Sequence, residues 1–472
     1  MPTIKYVGSK NNWPELSVTG KQSVWLNGQQ EFRSQDEAML LLGTGLFDDV
    51  SSSFATASIA SQIQTLKPLG ATGQNVSAAF TFNTAWMVEG DYNAVRFQYA
   101  NYGGTTYTIT SAKTAPSPTL GNNGTGLTHT SVTFDNAATA LAGDVWNGTA
   151  GSVTSYVVPV ALSGSGANTV PKFVYSDWIA QTPVACTEAG KEDLRIIQHR
   201  AYVATATGYS ALNAGTSATN MGVYNTYARR SIYGQITAGD HVGTVTAVTP
   251  LANHQWFLCT AVQAMLIKPI YNHGIFGDSI SKGQGSFDNN NGTWSWSHIA
   301  SQELTLEGIG RHSVVSYACS GQGKAATWLT FLEVIRQGGL ETATMFPWSA
   351  NDGNSAGSAP WALNNFKFHI SAFIEECRKY NVRPILATQP PSSTITDGAS
   401  DLLRIALNSL VRSLEGSGVG VADFDVVVSN NASPARYITG LTNGDNQHPS
   451  LLGYQAMAVK YKEAVKNVLG FS

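Results

Sequence analysis

Charged side chains are scarce in this chain. Only 12% of its 472 residues are Asp, Glu, Lys or Arg, about half the usual share of a globular protein. The two signs nearly balance, with 28 basic and 31 acidic residues and a net charge of −3. That gives no electrostatic basis for binding nucleic acid or an anionic membrane surface. Long apolar runs are also missing. None reaches the roughly 18 to 20 residues that cross a bilayer, so membrane insertion is not expected. The first residues, Met1-Pro2-Thr3-Ile4-Lys5-Tyr6, lack the basic and then apolar segments of a secretory signal. The expectation is a protein made in the cytoplasm that is either not exported by that route or released by lysis. Cysteine is sparse too. Cys186, Cys259, Cys319 and Cys377 are widely spaced and form no C-x-x-C pair, so reduced, buried thiols are expected, with no metal site and no disulfide. No motif calls for a cofactor.

What is present is Ser, Thr, Asn, Gln and Gly, together with aromatics: 46 glycines and 11 tryptophans. The length exceeds one ordinary compact core, so several domains are expected. Three textures follow one another. Residues 1–70 form a head, with a short helical stretch at Met39-Leu40-Leu41-Leu42 ended by Gly43. From 71 to 271, short runs rich in Val, Thr, Tyr and Phe alternate with Gly, Asn, Ser and Pro clusters. Ala94–Tyr99, Thr106–Ile109 and Ser155–Val158 read as strands, and Asn122-Asn123-Gly124 and Ser163-Gly164-Ser165-Gly166 as turns. This spacing predicts an antiparallel, jelly-roll-like β-sandwich. Its sparse charge and many hydroxyl, amide and aromatic side chains suit carbohydrate binding. A structural spacer is the plain alternative.

From 272 to 472, strand-like and helix-like runs alternate. Ser313–Tyr317 and Arg383–Thr388 read as strands, and Val419–Val428 as a buried strand. Leu363, Phe366, Ile370, Phe373 and Cys377 share one helical face, and Leu403, Leu407, Leu410 and Leu414 another. A last helix follows Pro449, with Ser450 as N-cap and Gly470 as stop. Such alternation predicts a parallel sheet covered by helices on both faces, with ligands bound at the carboxyl ends of the strands.

Two short motifs fall at such strand ends. Gly277-Asp278-Ser279 follows the run Ile270–Phe276, and Asp445-Asn446-Gln447-His448 precedes the last helix. An ordinary serine needs a base to become a nucleophile. Imidazole can take the proton and return it, and a carboxylate three residues earlier can reach that imidazole and hold its tautomer. Acyl transfer also needs donors for the developing oxyanion. Gly321, in Ala318-Cys319-Ser320-Gly321-Gln322-Gly323, could offer its backbone N–H, and Asn351, in Trp348-Ser349-Ala350-Asn351-Asp352-Gly353, its side-chain amide. Each motif alone has a plain alternative: a helix N-cap, an Asx-turn, a surface histidine or an ordinary loop.

In this order, Gly-Asp-Ser, Gly, Asn-Asp and D-x-x-H resemble the SGNH hydrolases, also called the GDSL esterase/lipase superfamily. The resemblance covers about two-fifths of the chain, 272–472. It implies a three-layer, flavodoxin-like α/β domain acting as a carboxylic ester hydrolase. Ser279 would be its nucleophile, His448 the base and Asp445 the partner of His448. The Ser279 N–H, the Gly321 N–H and the Asn351 amide would form the oxyanion hole. Asp278 is assigned a structural role. Ile280 stands where the family commonly has leucine, and Ser349 where it has glycine.

Five of the 11 tryptophans lie between 294 and 361. Indole rings can stack on sugar faces. Trp294 and Trp348, next to the motifs, are expected to wall the substrate cleft, whereas Trp296, Trp328 and Trp361 suit the core. With no long apolar lid, an acylated polysaccharide is a better substrate class than a lipid. In the head, Val24-Trp25-Leu26-Asn27-Gly28-Gln29 and Leu41–Val50 resemble N-terminal segments of phage tail-associated proteins. That resemblance implies virion attachment, a trimeric homo-oligomer and deacetylation of a bacterial surface polysaccharide. Two other readings stand beside the esterase: a non-catalytic receptor-binding protein, and a glycosidase using Asp278, Asp352 or Asp445.

Overall fold

The computed structural model describes residues 79–102, 106–119, 126–135, 169–204, 237–242, 259–286, 294–348, 351, 359–393, 395, 398–416, 418–432 and 434–471, with side chains from 366 onward in the helix that begins at 359. Elsewhere it describes only the backbone of short strands, among them Thr3–Tyr6, Gln30–Phe32, Phe47–Asp49, Ser61–Leu66, Tyr156–Val158 and Ile232–Ala238. The expected turns at 122–124 and 163–166 and the helical stretch at 39–42 lie outside the described residues, as does Asp352.

The first part is antiparallel. Its strands are β1 (Phe80–Val88), β2 (Tyr92–Ala100), β3 (Tyr107–Ser117), β4 (Phe173–Tyr175), β5 (Ile179–Ala180), β6 (Arg195–Val203), β7 (Ile232–Ala238) and β8 (Cys259–Phe276). One sheet runs β3-β6-β1-β7. A second places β4 and β5 against β2, and β2 against β8. The period of two along β1 sorts its side chains. Phe82, Trp86 and Val88 join the main core with Phe97 and Tyr99 of β2 and Val262 and Ala264 of β8. Ala85 and Met87 face the other way, onto Cys186, Leu194 and Ile196. The three expected strands are present; the first two run further than expected, to Ala100 and Ser117, and the third is one residue shorter, Tyr156–Val158.

β8 has 18 residues and changes partners along its length. Up to Ile270 it pairs antiparallel with β2 and with Ser61–Leu66. From Tyr271 onward it pairs in parallel with β9 (His312–Ser316) and, from His273, with β10 (Thr342–Met345). β11 (Arg383–Ala387) and β12 (Gly420–Ala422) complete a parallel sheet ordered β9-β8-β10-β11-β12. The expected boundary at 271/272 therefore falls inside a strand, where its partners change.

Helices cover both faces of this parallel sheet. Phe276, Val315, Met345, Leu386 and Val421 face one way, onto α3 (Lys324–Ile335), α4 (Ala359–Lys379) and α5 (Gly398–Arg412). Their neighbours Ile275, Val314, Ile385 and Ala422 face the other way, onto α2 (Trp296–Leu306), α6 (Phe424–Val428) and α7 (Leu451–Leu469). This is the expected α/β layering. One element differs: the apolar run 419–428 is strand only to Ala422, then turns at Asp423 into α6. The Asp423 carboxylate accepts from Thr388 Oγ1 at 2.9 Å and from Arg412 Nε at 2.7 Å. These anchors stop the strand and hand Phe424 and Val428 to the other layer. Among the described residues, no helix is long and apolar enough to cross a membrane.

Candidate active site

The strand order reverses around β8, with the second strand (β9) on one side and the third (β10) on the other, and such a reversal opens a crevice beyond the strand ends. β8 ends at Phe276, and Gly277 turns the chain into α1 (Ser279–Lys282). A Cβ at Gly277 would lie 2.3 Å from Ser281 Oγ and 3.0 Å from Ser281 Cβ, so any larger residue would force Ser281 to shift. Asp278 caps the short helix, its Oδ1 accepting the Ile280 N–H at 3.0 Å. Asp278 is thus engaged with backbone, in line with its expected structural role. Ser279 is left at the carboxyl end of the sheet, 5% exposed.

His448 arrives from the other end of the sequence. Its Nε2 lies 2.8 Å from Ser279 Oγ and its Nδ1 2.6 Å from Asp445 Oδ2. A carboxylate can only accept, so Nδ1 carries the proton and Nε2 is free to accept from the serine hydroxyl. The other oxygen, Asp445 Oδ1, accepts the backbone N–H of Gln447 and of His448, each at 2.8 Å. Burial alone would raise this carboxyl's pKa. The hydrogen bonds from His448 and Gln447 outweigh burial and hold it below its usual range. Asn446 takes a positive φ of 56° to let the loop close. Gly285, at φ +91°, packs against this loop. A Cβ there would meet Asn443 Nδ2 at 2.6 Å, Pro449 O at 2.9 Å and His448 Cβ at 3.0 Å. The Asx-turn alternative for Asp445 is thus real, and the same carboxylate also engages the imidazole.

The two expected donor loops are fastened to this centre. After β9, the Cys319 N–H donates to Gly277 O at 3.0 Å, and Ser320 Oγ donates to Gln284 Oε1 at 2.9 Å. Gly321 follows with a φ of +79°, a left-handed conformation that suits glycine. Asn351 Nδ2 donates to Gln322 O at 3.1 Å, which brings Asn351 onto the glycine loop. Lys324 was not singled out in the sequence. It is buried, and its ammonium donates to Phe346 O at 3.0 Å. It opens α3 directly after the glycine loop and so ties that loop to the end of β10. No sequence signal marks it beyond its place after Gly321-Gln322-Gly323. Lys282, one turn after the nucleophile, is also buried, and desolvation lowers its pKa.

The tryptophans divide differently from the expectation. Trp348 is 2% exposed and packs in the core, its ring centroid 6.4 Å from that of Phe366. It does not wall a cleft; the turn after β10 points it inward. Trp294 is half-buried, two residues before α2. Trp296 is fully buried against Phe424 and Tyr461, as expected of a core residue. The side chain of Trp361 lies outside the described residues.

Residues 274–460 match the family model GDSL-like Lipase/Acylhydrolase. The C-terminal part is a GDSL-type hydrolase domain. The protein is a carboxylic ester hydrolase, and the matched region takes in the last three residues of β8, all of β9 to β12, and Ser279, Asp445 and His448. No curated protein matches the chain. Among solved structures, the chain is similar to a putative lipolytic protein of the G-D-S-L family from Desulfitobacterium hafniense. That likeness has 21% identity and a TM-score of 0.32, and covers 41% of this chain and 98% of the other. It is also similar to an acetyl xylan esterase, at 17% identity and a TM-score of 0.31, covering 41% and 99%. A third is a variant acetyl-xylooligosaccharide esterase from Geobacillus, at 18% identity and a TM-score of 0.33, covering 43% and 95%.

Proposed function

We propose that the protein is a serine esterase that removes acyl groups, acetyl above all, from a carbohydrate or polysaccharide. The observation that carries the serine chemistry is the continuous relay from Ser279 Oγ through His448 to Asp445, with contacts of 2.8 and 2.6 Å. In this reading, Ser279 Oγ attacks the ester carbonyl carbon while His448 Nε2 takes its proton. The oxyanion is met by the N–H groups of Ser279 and Gly321 and by the Asn351 amide, each such donor being worth on the order of a hundred- to thousand-fold in rate. His448 then gives its proton to the departing sugar oxygen, leaving an acyl-serine. Water, deprotonated by the same imidazole, releases the acid and restores Ser279. Asp445 keeps Nδ1 protonated and stabilises the imidazolium.

The carbohydrate part of the proposal rests on the composition of 71–271, read as a jelly-roll-like, sugar-binding sandwich, and on the sequence having no long apolar run of the kind a lipid lid uses. The virion-borne part rests on the resemblance of the head alone. The deciding experiment measures acetate release from a panel of acetylated bacterial polysaccharides, with the Ser279→Ala protein as control. Release by the wild type and none by the variant is expected. A variant that retains full activity would sink the serine mechanism, and no release from any polysaccharide would sink the substrate class.

A further inference from the structure

Far from Ser279, where β8 breaks register, three segments border an open cleft of about 510 Å³. Its walls are the start of β2, the residues after β5 and the exposed stretch of β8 at Ile267. The walls are pinned by backbone. Gln181 N–H donates to Asn93 O at 3.1 Å, and Ile267 N–H to Asp91 O at 2.9 Å. The volume lies within the range of about 300 to 1,000 Å³ typical of small-molecule sites.

We propose that this cleft is a second binding site, separate from the catalytic crevice, that holds a neutral sugar residue of the polymeric substrate. The polymer's identity rests on the function proposed above; the cleft's chemistry does not. Asp91, Asn93, Gln181 and Thr182 line it, and of these Asp91, Asn93 and Thr182 are exposed. Planar amides and carboxylates can each pair with two neighbouring hydroxyls, and together these groups supply both donors and acceptors. Pro183 and Ile267, the latter 54% exposed, offer apolar surface to the C–H face of a ring. Tyr92 OH donates to Gln181 Oε1 at 3.1 Å and the Nε2 of that amide is buried, so Gln181 shapes the wall and leaves the hydrogen bonding to Asp91, Asn93 and Thr182. The one charge among the lining residues is Asp91, which Arg195 Nε partly neutralises at 2.6 Å. A remaining carboxylate disfavours anionic sugars and accepts from neutral ones.

The placement favours a polymer. Ile267 and Phe276 are nine residues apart on β8, so about 30 Å of strand at roughly 3.3 Å per residue separates the cleft from the catalytic end. One sugar cannot touch both sites, so a ligand that engages both must be a chain.

The test uses the full-length Ser279→Ala protein, which cannot turn over its ligand. It is screened on an array of neutral and acidic oligosaccharides, and the best ligand is titrated by calorimetry. Asn93→Ala and Thr182→Trp are then added singly. Both side chains are exposed, and a circular-dichroism melt checks that each variant is folded. The expected result is binding of neutral oligosaccharides, weakened at least tenfold by either substitution. The proposal is overturned if no sugar binds, if only acidic sugars bind, or if neither substitution changes the affinity. Wild-type turnover of p-nitrophenyl acetate is measured separately. Its absence, beside sugar binding that both variants lose, would remove the esterase reading and leave the cleft standing.

Discussion

Asp445 divides its work between two oxygens. Oδ2 takes the imidazole, and Oδ1 closes the loop that carries it. Asp445→Asn therefore strikes orientation and charge together, and turnover should fall on the order of 10⁴-fold. A pH signature accompanies this. The folded pKa lies below the unfolded value, which is about 3.9. The stability that Asp445 contributes is thus fully present above about pH 4 and lost as pH falls through the folded value. Thermal melts of the wild type and Asp445→Asn should differ at neutral pH and converge in acid; a gap that widens in acid would contradict the assignment. Ser279, Asp445 and His448 were legible in the sequence because each sits in a short string whose chemistry is local. Lys324 was not, because its role consists of reaching Phe346 across space, and a lone lysine carries no such signal. Trp348 misled because nearness in sequence to a motif says nothing about which way a turn points a side chain.

At the scale of elements, the turn after α1 is as demanding as the motif before it. Gly285 combines a left-handed φ with close contacts to the His448 loop. Gly285→Ala should cost about 1 to 2 kcal/mol in backbone strain alone and shift His448 relative to Ser279. Chemical denaturation and steady-state kinetics together check this. Lower stability with a reduced kcat is expected, whereas unchanged values of both would mean the contact is slack. Most elements of 272–472 were readable from periodicity. The stretch 419–428 was not, because an apolar run alone does not tell strand from buried helix. Here the anchors of Asp423, Thr388 and Arg412, lie 35 and 11 residues away. Similarly, Ile270–Phe276 revealed only the last part of β8. Its earlier half is interrupted by the exposed Ile267-Lys268-Pro269, which blurs the pattern.

At the scale of the molecule, β8 and the cores join the antiparallel and parallel regions. Ala100 and Phe173 from the antiparallel part pack in the same cluster as Phe276 and Phe331. Gln98 Nε2 donates to Gln337 Oε1 at 3.3 Å, and Arg311 donates to Glu89 O. With a shared strand and shared packing, the two regions should unfold together. Scanning calorimetry of the full chain should show them melting in one endotherm, and a chain starting at 271 should melt at a lower temperature. Two separate transitions assignable to the two regions would refute this coupling. The sequence marked where texture changes, near 271, but textures cannot reveal that one strand runs through the change.

The two regions are also locked in phase. Successive residues of a strand point to opposite sides, so one residue inserted between Tyr271 and Phe276 would send Ile275 to the layer of Phe276 and the reverse. It would also rotate the exit of the chain into Ser279. There is no tether here whose length can drift. Any recombination that exchanges the front of this enzyme must rejoin within β8 in matching parity, or the nucleophile will face the wrong side of the sheet.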